Sequence, residues 1–191
     1  MVKNMKRNLI LASASPRRQE LLKLCKVPFT VEVSKANEVI DRTLPLEEAI
    51  ALVAKQKAEE VFNRNEECLI LGSDTIVAID NEILGKPKSK EDARRMMNIL
   101  SGRTHQVITG VCLMCKEETR MFASVADVTF SKMTEEEIED YISKEEPYDK
   151  AGAYALQGEA AIYISGIQGD YYTIVGLPVH LVYKHLQEMG Y

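Results

Sequence analysis

Two strand-like runs, HQVITGVCLMC (105–115) and RMFASVADVTF (120–130), flank the polar turn Lys116 to Thr119. A connection that short makes a hairpin, whose strands run antiparallel. The rest of the chain alternates strand-period with helix-period segments, the pattern of β-α-β units. A hairpin set into such an alternation predicts an α/β protein with a mixed sheet rather than a purely parallel one.

The other elements follow from local signals. Asn8 to Ser13 is a short apolar strand. Ser15 reads as an N-cap with Pro16 at the first helical position, opening a helix whose Leu21, Leu22 and Cys25 share a face. FTVEVS alternates as a strand, and Leu46 to Asn63 carries a helical stripe of Ala49, Val53, Ala54, Ala58 and Val61. CLILGSDTIVAID reads as a buried strand running into a second one, with a turn at Asp80-Asn81 before EILGKP. Ser89 with Asp92 resembles a capping box for a helix to Leu100, stopped near Gly102, and Thr134 with Glu137 opens another to about Ser143. AAIYIS and YYTIVG have the composition of strands, and Pro178 to Met189 closes the sequence as a helix.

A length of 191 residues allows one domain or two small lobes. The net charge of −5 argues against bulk binding to nucleic acid or anionic membrane, so cations for an anionic ligand must be gathered locally. No stretch approaches the roughly 18 apolar residues of a membrane span. The early apolar run Leu9 to Ala12 is too short for a signal peptide, which leaves the cytoplasm as the expected compartment. Cys112 and Cys115 form a C-x-x-C within strand-like sequence. Positions i and i+3 of a strand point to opposite faces, which favours core packing over redox or zinc chemistry.

Chemistry-bearing residues fall at strand ends and loop edges. Arg17 and Arg18 lie in the first turn of a helix whose free N–H groups, with Ser13 and Ser15 nearby, suit a phosphate; the alternative is two solvated arginines. Asp74 emerges from the buried run CLILGS. Lys86 sits in the LGKP turn, Lys57 on the long helix and Glu38 after the second strand. Lys150 in YDKAGAY is either a phosphate contact or half of a structural ion pair. Arg103 pairs with a neighbouring carboxylate and Asp170 is scaffolding. No P-loop or dinucleotide fingerprint occurs. The three histidines, His105, His180 and His185, lie away from any nucleophile motif, which argues against a serine triad.

LASASPRRQELL, AKQKA, GSDTIV, LGKP, LSGRTHQVITGV, EPYDKAGAYALQG and GDYYTIVGLP occur in this order from Leu9 to Pro178. Together they closely resemble the Maf family of nucleotide pyrophosphatases, also called septum-formation inhibitors. The resemblance implies an elongated, two-lobed α/β fold akin to inosine triphosphate pyrophosphatases, with a mixed sheet flanked by helices, a central cleft and one domain over 1–191. It implies hydrolysis of nucleoside triphosphates to monophosphate and pyrophosphate with Mg²⁺ or Mn²⁺. On the family pattern Ser13, Arg18, Lys57, Lys86 and Lys150 contact substrate. Asp74 is the catalytic acidic residue, acting as proton acceptor, and Glu38 a second carboxylate, the two together holding metal.

Three positions separate the branches. Arg17, Thr75 and Gln157 match the dTTP/UTP branch, whereas the 7-methyl-GTP branch carries Trp, Gln and Glu there. A glutamine amide both donates and accepts, as the imide edge of thymine or uracil requires. Asn37 departs from the acidic residue the family often has before Glu38. The resemblance also makes a homodimer an expectation and leaves alternatives open: a non-catalytic nucleotide-binding regulator of septation, or a pyrophosphatase for 7-methyl-GTP or ITP.

Overall fold

A computed structural model describes residues 7–191. Among them the strands form one seven-stranded mixed sheet of order β2-β1-β3-β5-β6-β7, with β4 paired to β3. Here β1 is Leu9–Leu11, β2 Phe29–Val31, β3 Leu69–Ile79, β4 Glu82–Leu84, β5 Thr104–Met114, β6 Thr119–Phe130 and β7 Ile164–Gln168. The helices are α1 Pro16–Lys23, α2 Leu46–Phe62, α3 Lys90–Leu100, α4 Glu135–Ile142, α5 Tyr171–Val175 and α6 Val179–Glu188. β1 runs parallel to β2 and β3, while β3–β4 and β6–β7 are antiparallel. The expected mixed sheet is therefore present. β5 and β6 are neighbours joined across residues 115–118, and the Cys115 N–H donates to the Glu118 carbonyl to close the turn.

Contacts divide the chain into two compact units. The first holds the N-terminal part up to Asp74, Thr109–Ser124 and Gly176–Tyr191; the second holds Thr75–Ile108 and Val125–Val175.

In the first unit α2 packs on one face of the sheet. Strand alternation sends Ile10 and Ala12, Ile70 and Gly72, and Gly110, Cys112 and Met114 to that face. The buried cluster there contains Ile10, Ala12, Ile70, Cys112 and Met114 with Ala54, Ala58 and Val61 of α2. Two glycines let the helix backbone close on the sheet. A Cβ on Gly72 would lie 2.2 Å from the Ala54 carbonyl oxygen, and one on Gly110 2.4 Å from that of Ile50. Burial pushes the Cys112 thiol up to about 12. It is a packing residue with almost no thiolate to offer, and Cys115 is likewise a buried free thiol.

The second unit buries Ala93, Met96, Met97 and Leu100 of α3 and Ile138, Tyr141 and Ile142 of α4 against Val77, Leu84, Val107 and Val128. His105 lies in this core at 2% exposure, its Nε2 2.5 Å from the Tyr154 hydroxyl and its ring edge-on to Phe130 and Tyr154. Burial pushes the imidazole down to about 4, so the folded protein keeps it neutral while the unfolded chain takes up a proton near pH 6.5. The stability this residue contributes is present above pH 6.5 and is lost as pH falls toward 4, an expected loss of about 3 kcal/mol. Urea unfolding of the wild type and His105→Gln at pH 7 and pH 4.5 checks it. The variant should lose less stability on acidification, and equal losses would refute the assignment.

Three expectations are corrected. CLILGSDTIVAID is one continuous strand, β3. AAIYIS is a strand only at its end, because Glu159–Tyr163 forms a 3-10 turn. The Glu146 carboxylate accepts the N–H groups of Glu159 (2.9 Å) and Ala160 (3.5 Å), which a strand would have offered to a neighbour. YYTIVG is helix α5 despite its β-branched composition. The Asp170 carboxylate receives the Thr173 N–H (2.8 Å) and hydroxyl (2.7 Å), capping the turn. Thr173, Ile174 and Val175 are buried consecutively rather than in alternation.

The caps at Ser15 and Ser89 form as expected, and Thr134 with Glu137 makes the full reciprocal box. Asp92 differs, since its carboxylate accepts the Lys88 N–H instead of that of Ser89. Among the described residues, no helix is long and apolar enough to cross a membrane.

Candidate functional site

On β3 the even positions face α2, so Asp74 continues the row of Ile70 and Gly72 one step beyond the glycine contact. Lys57 lies one turn along α2 from Ala54, and its Nζ sits 2.6 Å from Asp74 Oδ1. The same ammonium is 3.0 Å from Glu38 Oε1. Lys57 and Asp74 are mostly enclosed, with side chains 12% and 16% exposed, whereas Glu38 is 48% exposed. Two carboxylates therefore share one ammonium on the first unit.

Arg18 joins this group through the cap of α1. Ser15 Oγ accepts the Arg18 N–H at 3.4 Å, as the sequence predicts for an N-cap. The Arg18 guanidinium donates to the Gly176 carbonyl (2.8 Å) and to Ser13 Oγ (3.3 Å). Burial lowers its pKa, while the charges of Asp74 and Glu38 oppose that shift and Arg17 adds to it. A guanidinium remains a cation throughout, so the first unit gathers two positive groups around two carboxylates. Ser13 Oγ also accepts the Ser15 N–H at 3.2 Å. With both lone pairs of its oxygen used, its own proton is what Ser13 has to offer an incoming group. Arg17 is exposed on α1.

The second unit carries Thr75, Lys86, Lys150 and Gln157. Thr75 directly follows Asp74 on β3. Lys86 is exposed in the turn after β4, and the Gly152 N–H donates to the Gly85 carbonyl at 3.1 Å, tying the segment after Lys150 to the Lys86 turn. That approach needs glycine: Gly152 has φ +70° and its Cβ would meet Val77 at 2.9 Å. Lys150 forms an ion pair with Asp149. Arg103 pairs with Asp80 at 2.6 Å, the structural role expected of it. Gln157 Nε2 donates to the Tyr171 hydroxyl at 2.8 Å, which leaves its other N–H and its carbonyl oxygen for a ligand.

The sequence reading thus anticipates Ser13, Arg18, Glu38, Lys57 and Asp74, which the first unit brings together. It misses Tyr171 as the partner of Gln157 and the Gly176 carbonyl as the anchor of Arg18. These partners lie 14 and 158 residues away in sequence, so no local pattern signals them.

As a metal centre, Glu38 and Asp74 supply hard oxygen donors within reach of one cationic group. Among the described residues, no three His, Cys, Asp or Glu side chains cluster as a closed metal cage. Two carboxylates without a cage suit Mg²⁺ or Mn²⁺, which takes its remaining ligands from phosphate and water. Glu38 and Asp74 are thus the residues of this group that could hold a divalent cation.

A family model described as Maf-like protein matches residues 8–189. A dTTP/UTP pyrophosphatase of Bacillus cytotoxicus is 49% identical over 182 residues, covering 95% of each chain. Proteins of the same name from Bacillus cereus and Bacillus anthracis are each 45% identical, the first covering 95% and the second 96% of both chains. Among solved structures, the Ham1 protein of Staphylococcus aureus matches with a TM-score of 0.55 and 14% identity. The match covers 96% of this chain and 100% of that one, a likeness of fold alone.

Proposed function

This chain belongs to the Maf family, and from that membership we propose that it is a nucleoside triphosphate pyrophosphatase. It hydrolyses dTTP and UTP to the monophosphate and pyrophosphate through attack of water on the α-phosphorus. The observation that supports this most is the Lys57 ammonium held between Asp74 and Glu38 on the unit that also carries Arg18. Attack at phosphorus builds negative charge on the phosphoryl oxygens, and fixed cations stabilise it without having to reorganise.

Arg18 is preoriented by Gly176 and Ser13, and it binds phosphate oxygens together with the Ser13 hydroxyl. Lys57 binds a phosphate oxygen while remaining beside Asp74. Asp74 orients the attacking water and accepts its proton. Mg²⁺ or Mn²⁺, when bound, supplies Lewis-acid stabilisation of the phosphoryl oxygens, with Asp74 and Glu38 as its protein ligands. Lys86 and Lys150 are further phosphate contacts. Arg17, Thr75 and Gln157 read the base. The Gln157 amide, tethered by one N–H to Tyr171, keeps a donor and an acceptor for the O4 and N3–H of uracil or thymine.

Pyrophosphate release from dTTP, UTP, CTP, GTP, ITP and 7-methyl-GTP, with Mg²⁺ or Mn²⁺, tests the proposal. The expected result is a kcat/KM for dTTP and UTP at least about tenfold above the others, the scale of discrimination that a few hydrogen bonds to the base provide. No release from dTTP or UTP would overturn it, as would a preference for ITP or 7-methyl-GTP.

A further inference from the structure

The residues 32–45 connect β2 to α2 without helix or strand, although they carry Glu38. Unstructured connections of this length inside a domain are uncommon and are usually either functional or disordered linkers. Here the segment is fastened to α2 and the turn after it by side chains at positions 56, 60 and 64, one stripe at helical spacing. Gln56 Oε1 accepts the Val39 N–H at 2.9 Å, and Gln56 Nε2 donates to the Val39 carbonyl at 2.9 Å. Glu60 Oε2 accepts the Lys35 N–H at 2.9 Å. Arg64 donates to the Val33 carbonyl and pairs with Glu32 and Glu60.

The Gln56 contact is specific in chemistry as well as distance. A backbone N–H cannot accept and a carbonyl cannot donate, so only one orientation of the amide satisfies both bonds. Gln56 and Lys57 are consecutive on the helix, and Val39 and Glu38 are consecutive on the segment. The amide clamp and the Lys57–Glu38 ion pair are therefore adjacent rungs. Glu38 is nearly half exposed, and an ion pair with such a partner is too weak to order a long segment. The neighbouring amide clamp is exposed as well, but it adds two directional hydrogen bonds to the backbone of the segment, which a side-chain ion pair does not.

We infer that Gln56 is a positioning residue for Glu38, its amide holding Val39 so that the Glu38 carboxylate meets Lys57. The inference rests on the role given to Glu38 above. Gln56 touches neither nucleotide nor metal and acts only through Glu38.

The test uses the full chain and three readouts. In Gln56→Ala, hydrogen exchange at the Val39 amide should quicken by about tenfold or more, while amides in the middle of α2 keep their protection. The Mg²⁺ concentration needed for half-maximal pyrophosphate release from UTP should rise, and kcat should fall about tenfold, as for a displaced catalytic group. In a Glu38→Gln background the same substitution should add no further loss, because the two act as one unit. Gln56→Met, which keeps the volume and removes both hydrogen bonds, should behave like the alanine variant.

Unchanged exchange at Val39 would overturn the clamp. Faster exchange with unaltered Mg²⁺ dependence and rate would overturn its service to Glu38, as would an undiminished loss in the Glu38→Gln background. Absence of activity in the wild type would instead refute the proposed function and with it the role of Glu38, while the exchange result would still decide whether the clamp exists.

Discussion

Asparagine in place of Asp74 is expected to slow pyrophosphate release from dTTP and UTP by about 10²- to 10⁴-fold, the usual contribution of a positioned general base. The change is nearly isosteric and leaves an amide oxygen that still accepts from Lys57 Nζ, now 2.6 Å from the carboxylate. Folding should therefore be preserved, with the melting temperature within a few degrees of wild type. What disappears is the negative charge that, in the proposed mechanism, receives the proton of water and serves as a ligand for the divalent cation. Because both roles act on the chemical step, kcat should carry most of the loss and KM should change little. Steady-state kinetics at saturating Mg²⁺ provide the check. An unaltered kcat would remove Asp74 from the mechanism, and a purely KM effect would reassign it to binding.

Gly72→Ala is expected to lower stability by about 3 kcal/mol, at the upper end of overpacking costs. The added methyl would lie 2.2 Å from the Ala54 carbonyl oxygen and 3.0 Å from the Ala58 nitrogen, atoms of a helix backbone that cannot rotate away. The only relief is to lift α2 off the sheet, opening the cluster of Ile10, Ile70, Ala54, Ala58 and Val61. For a chain of this size the melting temperature should drop by about 6–12 °C. The same movement shifts Lys57 relative to Asp74, so activity should fall along with stability. Gly166→Ala is the control, because a Cβ there meets nothing within 4 Å, and it should stay within about 0.5 kcal/mol of wild type. Thermal melts of the two variants side by side decide the matter, and equal melting would show that α2 does not need the glycine.

The two experiments concern the same construction. Gly72 and Asp74 occupy successive positions on one face of β3, and α2 supplies both the backbone that crowds the glycine and the lysine that meets the aspartate. Close helix packing and the placement of Lys57 are therefore a single structural event, so AKQKA and GSDTIV both contribute to a candidate site that neither contains alone.

Much of this was written locally. Ser15 with Pro16 starts α1 and Thr134 with Glu137 starts α4, because each cap is completed within a turn of its own chain. The hairpin of β5 and β6 follows from two apolar runs and a polar turn. The Asp170–Thr173 cap was also legible in principle, being only three residues long, but the β-forming composition of YYTIV outweighed it. The ordered blocks named the candidate residues Ser13, Arg18, Glu38, Lys57 and Asp74.

Other features had no local trace. The Glu146 carboxylate makes residues 159–163 a 3-10 turn instead of a strand, and it comes from 13 residues upstream. The anchor of Arg18 at Gly176, the tether of Gln157 to Tyr171 and the clamp of Gln56 on Val39 likewise join segments that only the folded chain brings near. Periodicity, caps and turns are decided by hydrogen bonds and burial within a few residues, so the amino-acid order determines them alone. Which carbonyl receives a given side chain depends on how helix and sheet faces close over the core, and that was settled by packing in three dimensions.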